Sequence, residues 1–81
     1  MFKEILTLQS EEGPLQYYLL FEKEGRRFIF DPTFKNKAAP VFVIVVEEDV
    51  LYTEGKISNQ LEMQAQQHVR GLLSSGFLDR L

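Results

Sequence analysis

The chain has 81 residues, 44% of them hydrophobic and 26% charged, with no cysteine and a net charge of −3. That length supports one folded unit over residues 1–81 and no second core, and the composition is that of a globular chain rather than a disordered one. The missing cysteines exclude disulfides and thiolate chemistry, and the net negative charge argues against a polyanionic partner.

The first element is FKEILTL over 2–8, which alternates as a strand with Phe2, Leu6 and Leu8 on one face and Ile5 on the other. The stretch around it, MFKEILTLQSEE, lacks the long apolar core of a secretory signal, so a cytoplasmic setting is expected. Gly13 and Pro14 close the strand. LQYYLLFEK over 15–23 and RRFIF over 26–30 are the next two strands, joined by a Glu24-Gly25 turn in which glycine is expected to take the positive φ.

Folding that hairpin sets Glu22 against Arg27, Phe21 against Phe28, Leu20 against Ile29 and Leu19 against Phe30. One face then carries Tyr17, Leu19, Phe21, Phe28 and Phe30, bulky enough to bed a helix. The other carries Tyr18, Leu20 and Ile29, edged by the Glu22 and Arg27 pair.

DPTFKNKAAP over 31–40 reads as a solvated loop, long enough to permit a crossover. PVFVIVV over 40–46 is apolar throughout, as a strand buried on both sides would be, and far too short to span a bilayer. Glu47, Glu48 and Asp49 turn the chain into a short last strand, VLYT over 50–53. These acids match the spacing of no calcium loop.

The only helix follows. Asn59 with Glu62 has capping-box spacing, and Ser58 is a second candidate cap. Ile57, Leu61, Ala65, Val69, Leu72 and Leu73 form one apolar stripe. Gly71 costs the helix up to about 1 kcal/mol against alanine, which suggests close backbone packing there. Gly76 is placed to end the helix in the left-handed conformation, with Phe77 and Leu78 tucking against the sheet and Asp79, Arg80 and Leu81 loose.

Candidate chemistry is sparse. His68, the only histidine, has Gln64 and Leu72 as its four-residue neighbours, and neither orients a catalytic imidazole or shares a metal. Ser58, Ser74 and Ser75 sit at helix ends, where capping explains them. No nucleophile elbow, phosphate loop or dinucleotide fingerprint is present. The sequence therefore predicts no catalytic, cofactor or metal site.

The charge is unevenly spread: Lys23, Arg26, Arg27, Lys35 and Lys37 against Glu24 and Asp31 make a local +3, leaving −6 elsewhere. Within this island GRRFIF interleaves arginines with Phe28 and Phe30, a pattern able to hold phosphate and stack bases.

The expected fold is α+β, a four- to five-stranded, mainly antiparallel sheet with one C-terminal helix on one face, most simply a meander. One helix shields one face, so the expected function is a small non-enzymatic interaction module that pairs with itself or with another protein. Tyr18, Leu20, Ile29 and Ile44 are the candidate interface, with an edge strand or the helix's outer face (Gln60, Glu62, Gln64, Gln67, Arg70) as rivals. The alternative is a single-stranded nucleic-acid binder using Arg26, Arg27, Lys35 and Lys37.

Overall fold

In a computed structural model, which describes residues 2–33 and 39–76, the protein is a five-stranded antiparallel sheet backed by one helix. The strands are β1 (Phe2–Ser10), β2 (Gly13–Glu22), β3 (Arg27–Pro32), β4 (Phe42–Glu47) and β5 (Val50–Glu54), followed by α1 (Asn59–Ser74). They lie in the order β1-β2-β3-β4-β5, so the link between β3 and β4 does not cross over. The β2–β3 register is the one that the turn and the facing charges dictate, from Glu22 opposite Arg27 to Leu19 opposite Phe30.

Strand alternation sorts the side chains. Tyr17, Leu19, Phe21, Phe28, Phe30, Phe42, Ile44 and Val46 point to one side, where Leu61, Ala65 and Val69 of α1 cover them. The rings of Phe30 and Phe42 stack at 4.6 Å, and Tyr17 meets Phe42 edge-on at 5.5 Å. Tyr17 is fully buried and donates its hydroxyl to the Pro40 carbonyl at 2.9 Å, which anchors the start of β4 to the core. Burial raises the Tyr17 hydroxyl above its usual pKa, because the anion would lose its hydration.

Several local expectations are corrected. β3 continues through Asp31 and Pro32, which stay paired with Tyr18 and Tyr17. The Thr33 amide next along donates to the Gln16 carbonyl at 3.1 Å, so by alternation the Pro32 nitrogen faces away from β2, and its missing N–H leaves that ladder intact. In the β2–β3 turn the Arg26 amide donates to the Lys23 carbonyl, and the positive φ, +50°, falls on Arg26 rather than Gly25. A Cβ at Gly25 would meet the Glu22 carboxylate at 2.8 Å and Arg27 Nε at 3.0 Å, the ends of two exposed side chains that can swing aside.

Ser58, not Asn59, caps the helix, its hydroxyl accepting from the Leu61 amide at 3.2 Å. Glu62 therefore falls one place too late for a capping box. Gly76 takes φ +79° as expected of a helix terminator. Gly71 faces open space, with nothing within 4 Å of a Cβ built on it, so close packing does not explain it. Phe77, Leu78, Asp79, Arg80 and Leu81 lie outside the described residues.

Two stability measurements follow from this packing. Phe28→Ala removes a fully buried ring and should cost about 3–5 kcal/mol in a denaturant titration, a large share of the stability of a small chain. Gly71→Ala should add about 0.5–1 kcal/mol, because the methyl enters open space and the helix loses its most flexible residue. An unchanged or lowered midpoint for Gly71→Ala would show a hidden role for that glycine.

Candidate interaction face

Three side chains tie α1 to the two margins of the sheet. On β1, the Gln9 amide donates to Gln64 Oε1 at 2.8 Å, and Gln64 Nε2 donates back to the Gln9 carbonyl at 2.7 Å. The carboxamide thus occupies both backbone groups of an edge residue, as a further strand would. One helical turn later, His68 Nε2 pairs with the Glu4 carboxylate. On the opposite margin Gln66 Nε2 donates to Thr53 Oγ1 of β5 at 3.0 Å.

These contacts reorder the expected candidates. Gln64 is engaged with β1 and is not free on the helix's outer face. His68 does have an acidic partner, but from the sheet rather than from its own helix. The signal for it was present in β1, where Glu4 shares parity with Leu6 and Leu8 on the inward side and so needs a polar partner. Both groups are about one-third exposed at the margin of the core, and their pairing spans β1 and α1. The hydroxyls of Ser58 and Ser75 are occupied with the helix ends, on Leu61 N–H and the Leu72 carbonyl. Among the described residues no three His, Asp or Glu side chains converge as a metal site requires.

At the turn end of the sheet Arg26, Glu48, Asp49 and Arg70 line a shallow cleft over Leu51 and Leu73. Glu48 there holds φ +54° as the first residue of the two-residue β4–β5 turn, a position that ordinarily selects glycine. Two cations and two anions face this cleft, so it has no marked preference for either sign of ligand.

Among the described residues, the face that α1 leaves bare carries several exposed and partly exposed apolar side chains. Its rungs follow from the strand registers. One is Ile5–Tyr18–Asp31, the next Lys3–Leu20–Ile29–Val43–Glu54, which crosses all five strands, and the third Glu22–Arg27–Val45–Tyr52. Ile5 is 57% exposed and Tyr52 51%, while Tyr18, Leu20, Ile29, Val43 and Val45 are partly exposed. Lys3 Nζ lies over the Tyr18 ring at 4.5 Å, which holds the ammonium on this face. Arg27 Nη2 donates to Glu22 at 2.9 Å, while the Arg27 Nε–H is buried without a hydrogen-bond partner among the described residues.

Of the residues expected at the interface, Tyr18, Leu20 and Ile29 lie on this face, and Ile44 does not. Ile44 sits opposite Phe28, is fully buried, and belongs to the core side. Its neighbours Val43 and Val45 take the outward positions. Of the nucleic-acid candidates, Arg26 is exposed and Arg27 is paired, while Lys35 and Lys37 lie outside the described residues. Phe28 and Phe30 are fully buried beneath α1, closed to any base. Among the described residues no helix is long and apolar enough to cross a membrane. Comparison of the chain with protein-family models, with curated proteins and with solved structures finds no match.

Proposed function

We propose that the protein is a small non-enzymatic interaction module that works as a homodimer, joined through the sheet face opposite α1. One observation carries the reading: an apolar stripe crosses that face from Ile5 to Tyr52, and nothing in the chain's described residues covers it. Soluble monomers rarely keep so continuous an apolar strip in water, and a second copy offers the same strip as a lid. The rival surfaces are weaker. Gln64 and Gln66 draw both edge strands toward the helix, and the helix's own outer face is polar apart from Met63.

The nucleic-acid alternative gains no support, because its stacking rings, Phe28 and Phe30, are core. A non-enzymatic role is supported by the use of His68 as a tie between helix and sheet. Hydrolytic turnover of ester and phosphate substrates is expected to be absent. A reproducible turnover lost in His68→Ala would overturn that half of the reading.

Sedimentation velocity over a concentration series tests the other half. A dimer is expected to fill in through the micromolar range, and Leu20→Lys and Ile29→Lys are expected to sediment as monomers. A parent chain still monomeric at about 100 µM, above the affinity that even a small specific interface supports, would rule the homodimer out.

A further inference from the structure

The register of β1 shows which of its backbone groups face outward. The Gln9 N–H and C=O turn away from β2 to meet Gln64, as suits a residue opposite Pro14, which has no N–H to offer. Antiparallel pairing alternates, so Thr7, Ile5 and Lys3 also turn their N–H and C=O outward. Gln64 closes this edge at Gln9 alone, and among the described residues no hydrogen bond reaches the outward groups of the other three. Their side chains lie on the bare face and are exposed. An edge left open around an exposed isoleucine is a template for another strand.

We infer that β1 pairs antiparallel with β1 of a second copy, about a two-fold axis through Ile5. The open stretch runs from Lys3 to Thr7 and is centred on Ile5. This register sets Lys3 opposite the partner's Thr7 and Ile5 opposite the partner's Ile5, so every open N–H and C=O finds a counterpart. Moving the axis one residue either way loses this match. An axis at Glu4 sets Glu4 against the partner's Glu4, like charges in direct opposition, and sends Thr7 beyond the start of the partner's strand. An axis at Leu6 brings Lys3 to the partner's Gln9, whose backbone groups Gln64 already holds. The axis at Ile5 opposes no like charges, since Glu4 falls opposite the partner's Leu6.

The join extends a rung already formed within each copy. Asp31–Tyr18–Ile5 of one chain continues across the seam into the partner's Ile5, so the exposed isoleucine gains an apolar neighbour. Both helices then lie on the same side of the joined sheet, with the Gln64 and His68 sides of each turned to the seam. Leu20 and Ile29 stay free, so this pairing is separate from the contact through the bare face and goes beyond it. Three residue pairs make a small contact, which fills at higher concentration than the face dimer. With both contacts in place, association passes two copies.

The chain has no cysteine, so single thiols placed on β1 report this register. They are introduced into the Ile29→Lys chain, which lacks the face contact, and circular dichroism verifies that each variant folds. Ile5→Cys is expected to form a disulfide-linked dimer under mild oxidation, since directly opposed residues lie about 5.5 Å apart between Cα atoms, within disulfide reach. Lys3→Cys and Thr7→Cys are expected to trap with each other and not with themselves, because like positions sit about 14 Å apart along the seam. Adding Thr7→Pro to the Ile5→Cys chain removes an outward N–H, leaves the β1–β2 ladder intact, and is expected to slow trapping on the order of tenfold. An Ile5→Cys chain that traps no faster than Lys3→Cys alone overturns the pairing and leaves the edge to a strand from another protein. Trapping indifferent to Thr7→Pro overturns it as well. Sedimentation of the parent reads the face contact separately: a parent monomeric at about 100 µM, with Ile5→Cys still trapping in register, removes the face dimer and keeps this pairing.

Discussion

A strand sends successive side chains to opposite sides, and a helix can cover only one of them. Here a 16-residue helix, about 24 Å long, faces five strands, and its lateral position decides which residues are core. Gln64 and His68 fix it to β1, and Gln66 fixes it to β5, so both margins of the sheet are drawn to the same cylinder. The stacked rings of β3 and β4, the burial of Tyr17 and the bareness of the opposite face all depend on that placement.

The use of glutamine at both margins has a chemical logic. A carboxamide carries a donor and an acceptor on one planar group, so it can satisfy the paired N–H and C=O of an edge residue without bringing charge to the core margin. Gln64 does this for Gln9. The His68 and Glu4 contact serves the same mechanical end with groups that could in other settings do catalysis. What separates the two roles is surroundings: here the imidazole tilts onto a strand carboxylate beside the core.

Much of this could be read from the sequence where two independent cues agreed. The β2–β3 register followed from a glycine-containing turn together with opposite charges at Glu22 and Arg27, and the aromatic face followed from the register. The helix end followed from Gly76 and the fading of the apolar stripe. Ile44 was misplaced because VFVIVV has no polar residue to set the phase of its alternation, and only pairing with Phe28 fixes it. Gly71 showed its cost in sequence, but not whether its surroundings were crowded or empty. The Gln64 and His68 ties join residues 55 and 64 positions apart, and depend on the rotation and offset of a helix on a sheet. No local spacing encodes that, although the inward parity of Glu4 asked for a polar partner.

The meander order bears on how the chain finds this structure. Each strand pairs only with its neighbours in sequence, so the sheet can grow one hairpin at a time, with short loops to close at each step. Hairpins of this kind form in microseconds. The joining of α1 to β1 is different, since it brings together residues 64 positions apart in the chain. Docking of the helix therefore carries the largest loop-closure cost of the fold, and it is the contact that seals the aromatic face.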